Sequence, residues 1–406
     1  MICFAIYNKH WRGKVRYDFD KIVNRHGTYS MKYDPLSHGK PEDVQPMWVA
    51  DMDFPTPPCV REALARYSEF GIFGYSEPDA AFFEVVQNWY LERFGWRVER
   101  EWIAYTPGVV NAIYIAIRAL TNVGDGVVIQ QPVYYPFESA VQHTGRKLLI
   151  NQLVYENKRY SIDFEDFEDK IKQAKVFILC SPHNPVGRVW TREELIQMGE
   201  ICLKYGVVVI ADEIWQDLIY PNHQHFVFAS LAPEFSDLAI TTTAPSKTFN
   251  LAGLQHANIF VSNRSIRSKF MCEFFSSGLS QPNLMGIVAC KAAYEYGAEW
   301  LSELISYLAG NMLFIRHYLL LNTSKVKVIE PEGTYLAWLD CSALEMPPGH
   351  LDELITHKAK LWFNDGAKFG AGGEGFLRIN AACPREVINS ALYRFVMAVE
   401  DIDRKS

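Results

Sequence analysis

Short apolar runs alternate with helical patterns through the middle of this 406-residue chain. The runs lie at 127–131, 176–182, 207–214, 239–245 and 257–261. Several of them are continuous rather than alternating, which is typical of parallel strands whose two faces are both covered by helices. Strands that alternate with helices predict an α/β fold built on a mainly parallel, doubly wound sheet.

One intervening segment, "TREELIQMGEICLKYG", carries the start signal and the period of an amphipathic helix. Thr191 and Glu194 have the spacing of a capping box, in which each side chain bonds the backbone N–H of the other residue. Leu195, Met198 and Cys202 then recur at helical spacing. The segment therefore predicts a helix with one apolar face packed on the sheet.

The last hundred residues have a different pattern. A helical stretch at about 297–322 is followed by "KVKVIEPEGTYLAWLD", a helical piece around 351–360, "GEGFLRIN" and a terminal helix. The chain is also long for a single core. We predict a large α/β domain at 61–299 and a smaller α+β domain formed by 1–60 together with 300–406.

Composition excludes several classes of function. The formal net charge is −7, so a clustered basic face for nucleic acid is not expected. The eight cysteines are scattered without a CxxC pair, which argues against disulfides or a zinc site and favours a reducing cytoplasm. The chain has no run of eighteen apolar residues, and its apolar start is too short for a signal peptide, so neither a membrane span nor export is expected.

Two short motifs suggest other sites, but a plainer interpretation is favoured for both. His223 and His225 in "PNHQHF" have no third ligand nearby in sequence, so we predict loop residues and no metal. The "GAGGEG" at 370–375 lacks the strand and helix that flank a nucleotide-binding loop, so we predict a turn.

Polar residues stand at or near the ends of three predicted strands. Asn184 comes after 176–182, Asp212 lies within 207–214, and Ser246 and Lys247 come directly after 239–245. Ligands of open α/β sheets bind beyond the carboxyl ends of the strands. A lysine among small and hydroxyl residues at that edge is suited to condense with a carbonyl compound.

These groups match what pyridoxal 5′-phosphate requires of a protein. Lys247 offers an amine for the aldehyde, Asp212 a carboxylate for the ring nitrogen, and Asn184 a donor for the phenolic oxygen. Ser246 offers a further hydroxyl.

The phosphate and the ring of this cofactor need further groups. In "YTPGVVNAIYIAIRAL", Gly108 permits close approach, and Val109 and Val110 open a helix whose N-terminus attracts an anion. In "QQPVYYPF", Tyr134 or Tyr135 is available to stack on the ring.

The chain carries a set of ordered motifs. They are "PMWVADMDF", "GYSEP", "TPGVV", "PVYYPF", "SPHNPVGRVW", "ADEI", "APSKTFNLAG", "PEGTYLAWLD" and "GEGFLRINAACP". From about residue 17 to the C-terminus the chain resembles the fold-type I pyridoxal-phosphate enzymes. It is most similar to their cystathionine β-lyase, or cysteine S-conjugate β-lyase, branch, which is related to the class I and II aminotransferases.

The resemblance implies a role for each matching residue. Lys247 would hold the cofactor and move the substrate Cα proton, and Asp212 would pair with the ring nitrogen. Asn184 would bond the phenolic oxygen and approach the substrate carboxylate. Arg378, in "FLRIN", would clamp that carboxylate with its planar fork, and Tyr134 would stack on the ring.

The resemblance also implies a homodimer with shared sites, because Tyr75 in "GYSEP" would reach the phosphate in the neighbouring subunit. Three positions depart from the pattern. Trp215 stands where relatives carry His or Tyr, and an indole cannot shuttle protons. Asn111 stands where proline is expected, and the first fourteen or so residues look like an extension.

The implied reaction is α,β-elimination on L-cystathionine or related cysteine S-conjugates, giving a thiol such as homocysteine, pyruvate and ammonia. Two alternatives stay open. An aminotransferase would use the same cofactor residues, and a cofactor-bound regulatory protein would carry out catalysis only secondarily.

Overall fold

The computed structural model describes residues 17–347 and 349–403. The N-terminal extension expected from the sequence lies outside these residues. In chain order the strands are β1 (Gln45–Pro46), β2 (Ile103–Thr106), β3 (Gly126–Gln131), β4 (Lys147–Gln152), β5 (Val154–Glu156), β6 (Arg159–Ser161), β7 (Ala174–Cys180), β8 (Val208–Asp212), β9 (Ala239–Thr243), β10 (Ala257–Phe260), β11 (Lys327–Val328), β12 (Leu336–Asp340), β13 (Leu361–Trp362), β14 (Asn364–Asp365) and β15 (Phe376–Asn380).

The α-helices are α1 (Pro58–Phe70), α2 (Ala80–Phe94), α3 (Val109–Leu120), α4 (Pro136–His143), α5 (Phe164–Ile171), α6 (Arg192–Tyr205), α7 (Pro233–Leu238), α8 (Pro245–Thr248), α9 (Arg264–Ser276), α10 (Leu284–Tyr296), α11 (Ala298–Asn322), α12 (His350–Glu353) and α13 (Arg385–Asp403). Short 3₁₀ turns lie at Met31–Tyr33, Leu36–His38, Arg100–Trp102, Phe228–Ser230, Ala252–Leu254, Ser342–Leu344 and Gly366–Phe369, and a π turn at Leu354–Lys358. The predicted capping box of α6 is confirmed, since the side chains of Thr191 and Glu194 accept each other's backbone N–H.

A seven-stranded sheet forms the centre of the molecule, in the order β2-β10-β9-β8-β7-β3-β4. Strands β4, β3, β7, β8 and β9 run parallel, and β10 is antiparallel to both of its neighbours. Strand β2 therefore points the same way as β9. The predicted α/β class with a mainly parallel sheet is confirmed.

Both faces of this sheet are buried. Along β7, Val176 and Ile178 belong to one apolar cluster, while Phe177 and Leu179 belong to the other. All four are at most 1% exposed. This burial on both sides explains why the strands read as continuous apolar runs in the sequence.

The sequence misplaces some strand limits. The run at 207–214 ends as a strand at Asp212, because the chain then enters the turns of 214–217. Strands β2 and β4 are not among the runs recognised from the sequence. Strand β2 has only four residues, and β4 forms an edge with mixed burial, so each gives a weak apolar signal.

A second sheet has the order β11-β12-β15-β14 and carries Arg378 on β15. It lies within 300–406, and the seven-stranded sheet lies within 61–299. The N-terminal segment joins the C-terminal part through β1, which pairs with β13. The division into two domains at these limits stays a prediction.

Helix α11 is long and apolar enough to meet a length-and-composition test for crossing a membrane. A core helix of a water-soluble protein meets the same test. Leu301, Leu304, Leu308 and Ile315 on α11 are at most 1% exposed within the protein core. The helix is therefore a packed core element in this fold.

Candidate active site

The predicted polar residues meet at one edge of the large sheet. Cys180 of β7 pairs with Asp212 of β8, and Asp212 pairs with Thr242 of β9. Because these strands are parallel, the segments that carry Asn184, Asp212 and Lys247 leave the sheet side by side. The chain segments after β2 and β3, with Gly108 and Tyr134, leave at the same edge.

Lys247 lies in the short helix α8 just beyond β9 and is partly buried. Its Nζ donates a hydrogen bond to the carbonyl oxygen of Ala50 at 2.8 Å. Burial lowers the pKa of Lys247 to about 8, although Asp51 and Asp212 act in the opposite direction. An amine with this pKa is available as a base or nucleophile near neutral pH. Ser246 precedes it in α8 and is also partly buried.

Asp212 ends β8 and is 4% exposed. Its carboxylate accepts a hydrogen bond from the N–H of Ile214 at 3.1 Å. Within residues 17–347 and 349–403, no Lys or Arg forms an ion pair with it. Burial raises its pKa to about 7, against the effects of the Ile214 N–H and Lys247. A buried carboxylate of this kind is strongly stabilised by a cation placed beside it.

Gly108 forms the N-cap of α3 with φ 143° and ψ 162°. This positive φ favours glycine. A Cβ at Gly108 would meet no atom within 4 Å, so the space beside it is open. The helix has no side-chain cap, and Val109 and Val110 stand in its first turn. Their N–H groups precede the first i→i−4 bond and are suited to bind an anion.

Arg378 and Asn184 are in direct contact, and both are 4% exposed. The Arg378 Nη1 donates to Asn184 Oδ1 at 2.9 Å, and its Nη2 donates to the carbonyl oxygen of Trp48 at 2.8 Å and to Asn364 Oδ1 at 2.6 Å. Among the described residues no carboxylate pairs with this guanidinium, and its buried Nε has no partner. Burial lowers the pKa of Arg378 to about 10. The arrangement is suited to bind a carboxylate brought by a ligand.

Tyr134 and Tyr135 differ in exposure. Tyr134 is partly buried, its backbone N–H donates to the carbonyl oxygen of Asn184 at 3.0 Å, and burial raises its pKa to about 12. Tyr135 is 42% exposed. The phenols of both tyrosines are close enough to act electrostatically on Arg378. This placement makes Tyr134 the better candidate for stacking in a closed site.

Tyr75 is not brought to this cluster within one chain. It is 96% exposed, on the loop between α1 and α2. It lies beside a surface cavity of about 350 Å³ that is lined by Phe73, Gly74, Ser76, Gln281, Pro282 and Leu284.

The two motifs with plainer interpretations make contacts of their own. His225 is buried against the carboxylate of Glu213, with Nε2 and Oε2 3.1 Å apart, while His223 is exposed. The "GAGGEG" forms turns before β15, and Ala371 N–H donates to Gln131 Oε1 at 3.0 Å.

Sequence reasoning missed the segment 47–54, which contacts two of the site residues through its backbone. Its carbonyls at Trp48 and Ala50 accept from Arg378 and Lys247. Asn250 fixes the segment through bonds to Met52 N–H, Met52 O and Phe54 O. Asn380 adds bonds to the carbonyls of Val49 and Asp51. The motif "PMWVADMDF" marks the segment, but a backbone carbonyl gives no residue-specific signal.

Residues 44–395 match the protein family described as aminotransferase class I and II. The chain belongs to this family. It is 44% identical over 385 residues to cystathionine beta-lyase PatB of Bacillus subtilis (strain 168), covering 94% of this chain and all of that protein.

Two solved structures also resemble the chain closely. Cystalysin from Treponema denticola, which contains a pyridoxal 5′-phosphate cofactor, has a TM-score of 0.92 and 38% identity. The pyridoxal-phosphate-bound C-S lyase from Staphylococcus hominis has a TM-score of 0.90 and 31% identity. Each match covers 95% of this chain and 99% of the other. The family and the branch that the sequence motifs indicate are thereby confirmed.

Proposed function

We propose that this protein is a pyridoxal-phosphate-dependent carbon–sulfur β-lyase. It would cleave L-cystathionine or related cysteine S-conjugates by α,β-elimination and use one water to release a thiol, pyruvate and ammonia. The observation that carries the proposal is the partly buried Lys247 beside the buried Asp212, in a chain 44% identical to a cystathionine β-lyase over almost its whole length.

The residues present fit the cofactor. The open space at Gly108 and the uncapped start of α3 suit a phosphate. The buried carboxylate of Asp212, which forms no ion pair with a Lys or Arg of the described residues, suits a protonated ring nitrogen. Lys247 supplies the amine, Asn184 a donor, Tyr134 the stacking ring, and Ser246 a further hydroxyl. When bound, the cofactor supplies an electron sink that makes the substrate Cα–H acidic.

The protein's own groups then carry out separate tasks. Arg378 binds the substrate α-carboxylate, and its contacts with Asn184 and Asn364 orient the planar fork. The neutral Nζ of Lys247 accepts the Cα proton, which its lowered pKa permits near neutral pH. Asp212 would hold a protonated ring nitrogen and keep its own negative charge, since a neighbouring cation favours the ionised carboxylate.

We also propose that the protein acts as a homodimer in the cytoplasm. Four side chains at the end of α1 and in the following loop are strongly exposed: Phe70, Ile72, Phe73 and Tyr75, at 63%, 63%, 59% and 96%. An apolar patch of this kind is typical of a protein interface. In the dimer, Tyr75 would reach the cofactor phosphate of the neighbouring subunit, and Tyr75→Phe should then weaken cofactor binding.

The decisive experiment measures pyruvate release from L-cystathionine by the purified protein without any oxo acid. Sustained turnover is expected. Lys247→Ala should lower it by at least about 10³-fold, whereas Lys204→Ala, which removes an exposed lysine bound to Glu168, should leave it unchanged. A single stoichiometric burst that an added oxo acid restores would instead identify an aminotransferase. Cofactor binding without any turnover of amino acids would favour the regulatory alternative.

A further inference from the structure

Trp215 stands three residues after Asp212, and the proposed reaction gives it no task. It is 2% exposed. The Nζ of Lys247 lies over its ring, 5.6 Å from the centroid. The ring also meets that of Tyr335 edge to face, with centroids 4.7 Å apart. Trp215 is thus packed between the lysine and a buried tyrosine.

Tyr335 leads to the same lysine by a second route. Its ring is fully buried, and its hydroxyl donates to the carbonyl oxygen of Ala50 at 2.9 Å. That carbonyl also accepts from Lys247 Nζ at 2.8 Å. A carbonyl oxygen has two lone pairs and can accept both bonds. Lys247, Ala50, Tyr335 and Trp215 therefore form a closed ring of contacts.

We propose that Trp215 and Tyr335 are positioning residues that hold the free amine of Lys247 on the Ala50 carbonyl while the lysine is not bonded to the cofactor. This inference rests on the role given to Lys247 in the proposed function. A lysine side chain has a flexible four-carbon stem. A fixed acceptor and a ring face restrict the amine to one place. The amine then loses less conformational entropy when it reacts with the substrate.

The charges around the amine make this docking measurable. Burial lowers the pKa of Lys247 to about 8, Asp51 and Asp212 favour its charged form, and Arg378 disfavours it. The face of an indole attracts an ammonium group, as does a carbonyl oxygen that is held in place. Loss of either contact at constant burial therefore shifts the amine towards its neutral form.

The test uses the full-length protein stripped of cofactor and then mixed with pyridoxal 5′-phosphate. The covalent capture of pyridoxal 5′-phosphate by Lys247 is followed by absorbance from about pH 6 to pH 10. This range spans the titration of a buried lysine. Because only the neutral amine reacts, the midpoint of the capture rate reports the protonation of Lys247. Trp215→Leu keeps an apolar side chain without a π face, and Tyr335→Phe keeps the ring without the hydroxyl. Each should lower the midpoint by about half to one pH unit, and Trp215→Phe should restore it.

Two control variants distinguish failure of the positioning role from failure of the proposed function. Trp96→Leu removes another buried indole, whose ring contacts are with Tyr90 and Phe260, and should leave the midpoint unchanged. Lys247→Ala should abolish capture, and persistent capture in that variant would refute the proposed function itself. If Lys247→Ala abolishes capture while Trp215→Leu and Tyr335→Phe keep the wild-type midpoint, only the positioning role is overturned. An equal shift in Trp96→Leu would overturn it as well.

Discussion

The carboxyl edge of the large sheet and the segment 47–54 contribute to the same site in different ways. At the sheet edge, side chains carry the chemistry, and each follows a strand whose neighbours fix its place. In the segment 47–54, backbone carbonyls make the contacts, and distant side chains such as Asn250 and Asn380 hold them in position. These two regions are the two halves of the site. The first half, the sheet edge, depends on strand order, and the second half, the segment 47–54, depends on long-range hydrogen bonds.

The comparison predicts that the sheet edge controls cofactor chemistry. Asp212→Asn should lower turnover by roughly 100-fold or more, because a neutral amide cannot stabilise a protonated ring nitrogen. It should leave the KM for the amino acid nearly unchanged. Steady-state pyruvate release measures both quantities, and a rise in KM alone would contradict the assignment.

The same variant has a second, pH-dependent readout in the cofactor-free protein. Burial raises the pKa of Asp212 in the folded protein to about 7, from the ordinary value of 3.8 for an aspartate. Between these values the folded protein binds more protons than the unfolded chain, so the contribution of Asp212 to stability falls as pH rises through this window. Asp212→Asn should thus melt above wild type at pH values beyond 7, and the gap should close towards about pH 4. Thermal unfolding of both proteins across this range checks the sign.

A substitution of Arg378 tests the half of the site formed by the segment 47–54, because Arg378 links the second sheet to that segment. Arg378→Lys keeps the charge but loses the planar fork that bonds Asn184, Asn364 and Trp48 O. The KM should rise on the order of 100-fold, which corresponds to about 2–3 kcal/mol for lost charged hydrogen bonds. Cofactor affinity, measured by fluorescence titration, should stay unchanged. An equal loss of cofactor affinity would show that the two halves are not separable.

Asn250 tests whether the carbonyls need their distant supports. Its φ is 59°, a value that glycine adopts without strain, so Asn250→Gly removes only the side-chain amide. Asn250→Ala removes the amide and also adds backbone strain. Both variants should lose about 1–3 kcal/mol of stability from unpaired polar groups and roughly tenfold in turnover from a displaced Ala50 carbonyl. Urea unfolding and pyruvate release measure these effects. If only the alanine variant is impaired, backbone strain rather than the amide explains the result.

The loop 366–375 contacts Val133, which follows β3, and Arg378 on β15, and a substitution in it should give the smallest change in activity. Phe369 accepts from Val133 N–H through its carbonyl, and its ring lies 4.8 Å below the Arg378 guanidinium. At Gly370, φ is 92° and a Cβ would lie 2.2 Å from the Gln131 carboxamide. Gly370→Ala should lower the free energy of unfolding by about 1–3 kcal/mol.

Gly372→Ala is the matched control for that change. Its φ is 80°, but its Cβ would approach no atom closer than 3.2 Å, at Gln152 Nε2. The difference between the two variants in urea unfolding isolates the clash with Gln131. Equal losses would mean that backbone conformation alone sets the requirement for glycine.

The sequence predicts the sheet edge better than it predicts the segment 47–54. It recovers the α/β class, the strands that lead to Asn184, Asp212 and Lys247, and the capping box of α6. It misses β2 and β4, whose apolar signals are short or mixed. It also leaves Trp215 without a partner, since its contact with Tyr335 spans 120 residues of sequence.

The sequence by itself determined the alternation of strands and helices in the middle of the chain and the polar residues at the ends of three strands. Hydrophobic periodicity and capping act over a few residues, and parallel strands place their carboxyl ends together. Only the tertiary structure decided that Lys247 docks on the carbonyl of Ala50, 197 residues away in sequence. Every residue carries a backbone carbonyl, so the choice of this one depends on how distant segments pack and not on its side chain.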